Sequence, residues 1–264
     1  MMIELWAALA AGLLVAAAVS SGLGLFGARA PWRRMPGVIR AASLVPLAVA
    51  LGLAIVAQGE PSPFDLRQLA LALGLAMVLA GLGLAWRQGT AGGGPVQDLV
   101  AASLVLAAVL AIRPGGTPLA CAQRTLPFAA YWGLFGLGGG ALLLAGSTAL
   151  DLGLAAIVPD GGRRQLPADA YRQLADAAFL GLIAIGGGLA ISAWWSWRTL
   201  GSLLSGDPRQ AWLAATWLVV SMGLLAWPLE HRGRRAAAAL VLVTAAMALV
   251  GLLAVPELQQ MWGL

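Results

Sequence analysis

Residues 3–27 read IELWAALAAGLLVAAAVSSGLGLFG, a run whose one charge, Glu4, sits at its very start. About 20 apolar residues are enough for a helix to cross a bilayer. Ala, Leu and Val fill the run, and nothing in it alternates as a barrel strand would. A secretory signal carries basic residues before its apolar core. Here Met1, Met2, Ile3 and Glu4 lead, and Arg29, Arg33 and Arg34 follow. The run reads as a retained spanning helix with its N-terminus outside.

Seven similar runs lie downstream, at 37–57, 69–86, 97–112, 127–158, 177–197, 211–229 and 236–255. Breakers separate them: Pro61 and Pro63, Gly92-Gly93-Gly94-Pro95, Pro114-Gly115-Gly116, Pro159 with Gly161-Gly162, and Pro208. The fold expected is all-α, a polytopic transmembrane bundle of about eight spans with both termini extracytoplasmic. Residues 1–264 form a single integral membrane domain, and no internal repeat stands out. Composition agrees: 60% of the 264 residues are hydrophobic, 10% are charged, and mean hydropathy is +0.86. Soluble domains carry about 25% charged residues. That gap excludes soluble globular classes, disordered tails and nucleic-acid partners, and it makes membrane lipid the first partner.

The net charge of +5 rests on arginine, since all sixteen basic residues are Arg. Eleven fall in or beside the odd-numbered loops (Arg29, Arg33, Arg34, Arg40, Arg87, Arg163, Arg164, Arg172, Arg232, Arg234, Arg235). Five fall in the even-numbered ones: Arg67, Arg113, Arg124, Arg198 and Arg209. A positive-inside bias of this kind puts the loop between Trp197 and Asp207 outside the cell membrane.

Catalytic constellations are absent from the sequence. There is no Gly-x-Ser-x-Gly, no phosphate-binding Gly-x-x-x-x-Gly-Lys and no His-x-x-x-His. One cysteine, Cys121, allows no internal disulfide, and His231 is the one imidazole. Asp98, Asp151 and Asp176 lie at span edges, where the expectation is an interfacial carboxylate of low cost. A proton-coupled permease needs acids at mid-depth and repeat symmetry, so that class is disfavoured. The glycine runs Gly136-Leu137-Gly138-Gly139-Gly140 and Gly186-Gly187-Gly188 suit close helix contact or a flat ligand lying against backbone.

Tryptophan carries the strongest signal. Trp194, Trp195 and Trp197 end the sixth run, Asp207 and Pro208 precede Trp212, and Trp217 follows Thr216. Interfacial belts enrich Trp at span ends. Three in four residues beside a short outward loop also make a flat aromatic platform for a planar conjugated ligand.

These residues resemble the cytochrome c assembly proteins, haem-handling membrane proteins with a tryptophan-rich outer loop. Trp194-Trp195-Ser196-Trp197, then Asp207-Pro208-Arg209-Gln210-Ala211-Trp212, then Thr216-Trp217 and Arg232-Gly233-Arg234-Arg235-Ala236 follow the family's order, with Tyr171-Arg172 upstream. The clear resemblance spans 171–255. It implies a multi-pass protein of the cell (inner or plasma) membrane that presents haem at the outer face for cytochrome c assembly. A partner membrane subunit and an apocytochrome c would be its protein partners. It also implies an assembly factor, at most part of a haem-attachment complex, rather than an enzyme on its own. Trp194, Trp195, Trp197, Asp207, Pro208, Trp212 and Trp217 would form the haem-binding segment, with Arg198, Arg209 or Arg124 on the propionates.

Two departures stand beside that resemblance. Residues 198–206 separate Trp197 from Asp207, where the family has no insertion. The family's histidine positions fall near Glu60, at Leu225, near Ala129 and around Gln259 and Gln260, and none is His. Tyr131 and Met261 are the residues nearby whose side chains ligate haem iron elsewhere. A ligand-free paralogue, serving as a structural membrane subunit of a respiratory or assembly complex, is the alternative.

Overall fold

The computed structural model describes residues 2–25, 35–58, 65–88, 94–110, 126–157, 168–202, 208–225 and 231–253. Their regular structure is helical throughout: α1 (Met2–Leu25), α2 (Met35–Gln58), α3 (Leu66–Gln88), α4 (Pro95–Leu110), α5 (Leu126–Ile157), α6 (Ala168–Leu200), α7 (Pro208–Leu225) and α8 (His231–Leu253). Each apolar run became one helix. Five of them, α1, α2, α3, α5 and α6, are long and apolar enough to cross a membrane, and α4, α7 and α8 hold shorter apolar segments.

The boundaries differ most at α6 and α8. The apolar pattern places their starts at 177 and 236, and the helices begin at Ala168 and His231. Polar side chains such as Arg172, Gln173 and Asp176 end an apolar run without ending a helix, because Ala, Leu, Gln and Arg all have high helix propensity. At the other end of α6, Gly201 stops the helix. Its φ of 67° is left-handed, and its N–H donates to the Trp197 carbonyl at 3.1 Å, a C-terminal cap that glycine adopts without strain. Arg198 to Leu200 therefore extend α6, and part of the sequence insertion is helix. The start of α3 is fixed by Asp65, whose carboxylate accepts from Arg67 N–H at 2.8 Å while its carbonyl accepts from Leu69 N–H at 2.9 Å.

Consecutive helices run in opposite directions. The starts of α1, α3, α5 and α7 share one end of the bundle, the near end, with the last turns of α2, α4, α6 and α8; the reverse set forms the far end. Arg67 on Glu4 marks the near end, and Gln88 on Asp176 marks the far end. α1 packs against α2 and α4, and α3 closes that set by packing against both of them. α5 packs against α6 and α8, with α7 between those two. The chain thus forms two four-helix rings of identical connectivity, joined chiefly where α3 and α4 meet α5. No sequence repeat announced this, because small apolar residues fill both rings alike.

Glycine decides how closely the helices approach. Gly138 faces Ile185 of α6, Gly140 faces Ala76 and Met77 of α3, and Gly146 faces Ala245 of α8. Three glycines on one helix thereby seat three different neighbours, as small residues do where apolar solvent gives no hydrophobic drive. Interior hydroxyls are satisfied locally. Ser147 and Thr148 both donate to the Leu144 carbonyl, and Thr244 donates to that of Leu240, so these groups need no water.

Candidate functional site

At the near end, the last turns of α6 present the tryptophans that the sequence singles out. Trp194, Trp197 and Arg198 lie three and four residues apart and so share a face. Trp194 is 47% exposed and Trp197 is 57% exposed. The guanidinium carbon of Arg198 stands 5.7 Å from the centroid of the Trp194 ring, within cation–π reach. Trp195 lies on the flank of this face and is half-buried, with buried Ser196 behind it.

Trp212 and Trp217 are placed differently. The Trp212 indole N–H donates to the Met247 carbonyl at 2.7 Å, and the ring covers Gly251, where any side chain would collide with it. The Trp217 N–H donates to the Leu182 carbonyl at 3.1 Å, and a Cβ on Gly186 would come within 2.8 Å of that nitrogen. These two indoles stitch α7 to α8 and α7 to α6. Trp217 is half-buried and Trp212 is 36% exposed; an indole packed against a neighbouring helix finds an acceptor for its N–H, and backbone carbonyls one turn before a glycine supply it. The seven-residue segment expected from the sequence therefore divides: Trp194 and Trp197 face outward with Trp195 beside them, while Trp212 and Trp217 build the frame. Asp207 lies outside the described residues, and Pro208 opens α7.

The glycine runs resolve in the same direction. Gly186 meets Trp217, and a Cβ on Gly188 would come within 3.0 Å of the Phe135 ring, which is close helix contact. Tyr131 is buried (7% exposed) and packs edge-on against Trp132 and Phe135, with centroids at 5.2 and 4.3 Å. It belongs to an aromatic wedge between helices. Met261, Arg124, Glu60, Gln259, Gln260 and Cys121 lie outside the described residues. Leu225 ends α7 at the far end and is 78% exposed.

The far end holds a second constellation, which the sequence did not assemble. Arg40 of α2 grips Asp98 of α4 with two prongs, Nε to Oδ1 at 2.6 Å and Nη2 to Oδ2 at 2.8 Å. Ser21 of α1 completes it, accepting from Arg40 Nη2 at 3.0 Å and donating to Asp98 Oδ2 at 3.3 Å. The Arg40 and Asp98 side chains are 2% and 1% exposed. Asp98 stands in the first turn of α4, at the edge of its apolar run as the sequence indicates, and its carboxylate is buried there because a guanidinium 58 residues away neutralises it. Asp151 of α5 stands beside the start of α4, its Oδ1 accepting from Val96 N–H at 3.4 Å. A helix N-terminus has N–H groups without intrahelical partners and a positive dipole end, and carboxylates satisfy both. Asp176 pairs with Gln88 at 3.1 Å, with Arg87 at 3.9 Å. Among the described residues, no group of three His, Cys, Asp or Glu forms a metal site.

No protein-family model matches the chain, and no curated protein matches it either. The geometry therefore carries the functional argument.

Proposed function

We propose that this chain is a multi-pass protein of the cell membrane that works in cytochrome c assembly, holding haem at its near end. The arginine split supports turning that end outward, with the eight helices as eight crossings. The observation that carries the reading is the exposed Trp194–Trp197 face with Arg198 over the Trp194 ring. Indoles offer a flat apolar surface to a porphyrin. A guanidinium offers a planar fork to a propionate carboxylate.

The fit is to the ring and its carboxylates. It does not extend to the iron: the chain's single histidine, His231, opens α8 at the opposite end, and Tyr131 is packed among aromatic rings. Axial ligation would fall to a partner membrane subunit or to the apocytochrome, and no iron chemistry is assigned to this chain.

A second reading, a ligand-free structural subunit, draws on one observation. Trp212 and Trp217, two of the five tryptophans in the family-like pattern, spend their N–H groups on helix carbonyls. Replacing Trp194 and Trp197 with Leu separates the two. Loss of cytochrome c maturation or of the haem Soret band, at unchanged membrane abundance, supports haem handling. Unchanged maturation at unchanged abundance rejects it and leaves the structural role.

A further inference from the structure

Trp86 belongs neither to the aromatic face nor to the core. At 90% exposed it is the barest large apolar side chain among the described residues. It stands on α3, whose other faces pack against α2, α4, α5 and α6. Leu79, Gly83 and Trp86 fall three and four residues apart and so share an open stripe of that helix. α2 and α6 border the stripe: Gln68 reaches α2 at Ala54, and Arg87 and Gln88 reach α6 at Asp176. A Cβ on Gly83 would meet nothing within 4 Å, so the floor of this cleft is open.

Its mouth, at the far end, is charged. The Arg87 side chain is 65% exposed and stands 3.9 Å from Asp176. Arg172 lies one turn earlier on α6, exposed on the face that Asp176 shares. Among the described side chains at this corner, two guanidiniums answer to one carboxylate, which Gln88 also engages at 3.1 Å. One positive charge is left over beside an indole, the ring that sits at headgroup level in spanning helices. Further in, the surface is apolar. At 1.5 Å per residue, Gly83 and Leu79 lie roughly 6 and 12 Å deeper than Arg87. Exposed Phe179 and Ile183 continue the Arg172–Asp176 face of α6. A cation at the mouth of an apolar cleft complements a molecule with an anionic head and a hydrocarbon tail. Basic pockets between spanning helices hold anionic lipid headgroups in this way.

The geometry points to a binding site for one anionic phospholipid between α3 and α6 at the far end. Arg87 and Arg172 hold its phosphate, Trp86 covers the glycerol region, and an acyl chain lies along Gly83 and Leu79. A zwitterionic lipid has the same tail but brings its own cation to the arginines, so headgroup charge sets the preference. The site rests on the chain being a membrane protein and is independent of haem.

Native mass spectrometry of the full chain in detergent, with phosphatidylglycerol or phosphatidylcholine added, reads the site directly. One phosphatidylglycerol should stay bound at collision energies that strip phosphatidylcholine. Each guanidinium near an anionic headgroup adds about a fivefold preference. Arg87→Gln with Arg172→Gln should therefore weaken retention roughly thirtyfold. Asp176→Asn keeps an acceptor for Gln88 and removes the competing charge, so retention should rise. Gly83→Leu should lower retention by filling the floor while both arginines stay. Equal retention of the two lipids overturns the site, as does phosphatidylglycerol retention that survives loss of both arginines. Asp176→Asn without a rise overturns the charge balance, and Gly83→Leu without a loss overturns the seat of the tail. If the double arginine variant does not accumulate, either single substitution gives the same test with about a fivefold loss. Haem enters none of these readouts, so failure here leaves the test of the proposed function standing.

Discussion

Arg40 and Asp98 meet through two hydrogen bonds of 2.6 and 2.8 Å in a site almost closed to solvent, and Ser21 bridges both partners. Three helices, α1, α2 and α4, are thereby pinned at one depth. Arginine suits this position because its planar fork engages both carboxylate oxygens at once.

Breaking that pair from one side should be severe. Asp98→Asn or Arg40→Leu leaves a buried charge or donor set uncompensated, at about 3–5 kcal/mol. Arg40→Met combined with Asp98→Leu should recover most of that loss. Thermal unfolding of the purified protein in detergent checks it. A double variant as unstable as the sum of the singles would show that the pair is not a unit.

Trp212 and Trp217 should behave as frame residues. Trp212→Phe removes the donor to Met247, and Trp217→Phe removes the donor to Leu182; each carbonyl keeps its intrahelical N–H partner, so each change costs about 0.5–1.5 kcal/mol. The expected outcome is reduced stability or abundance with unchanged activity per molecule. Trp194→Phe should leave stability untouched, since its ring is exposed.

At Gly140, even Ala is too large. With Ala76 at 2.7 Å and the Met77 backbone at 2.8 Å, a new side chain forces α3 and α5 apart. Overpacking of this kind costs about 1–3 kcal/mol. Gly140→Ala should lower the unfolding temperature, whereas Gly12→Ala, with nothing within 4 Å of the added atom, should not. Equal effects at the two positions would discard the close-approach account.

Orientation is open to chemical labelling. With Cys121 replaced, a cysteine at Ser202, exposed just beyond α6, should react with a membrane-impermeant thiol reagent in intact cells or spheroplasts. A cysteine at Met35, at the far end, should be protected until the membrane is opened. The reverse pattern inverts the topology.

The iron ligands give a spectroscopic expectation. The purified chain should carry no low-spin haem with two nitrogen ligands. Placing His at Ala129 or Ala130 together with Gln259 or Gln260 should raise haem retention if the family-like pocket persists. A native bis-His spectrum would mean that a partner supplies the nitrogens or that these positions are misaligned.

Length and apolarity made the eight helices legible, because a run such as residues 3–27 has one physical outcome. Their polar extensions were not: hydropathy sees Asp176 as a boundary, and backbone propensity does not. The Trp194–Trp197 cluster was visible as a cluster. Which indoles turn outward depends on helical phase and on where the neighbouring helix offers a glycine, as Gly186 does for Trp217 and Gly251 for Trp212. Long-range pairing was the hardest to read. Arg40 and Asp98 each stand at the edge of an apolar run on the same side of the alternation, and that shared edge was the available signal.

The Arg40–Asp98 pair also sets an order of events during biosynthesis. α2 leaves the ribosome 58 residues ahead of its counter-ion. At about 5–20 residues per second, that gap lasts roughly 3–12 seconds. Throughout it, Arg40 lacks the Asp98 carboxylate, and its place near the start of α2 lets the side chain extend toward water or the lipid headgroups. The first ring therefore closes late, when Asp98 arrives with α4. A nascent chain cut short before α4 would keep Arg40 at the water boundary and leave α1 and α2 without the contact that fixes their depth.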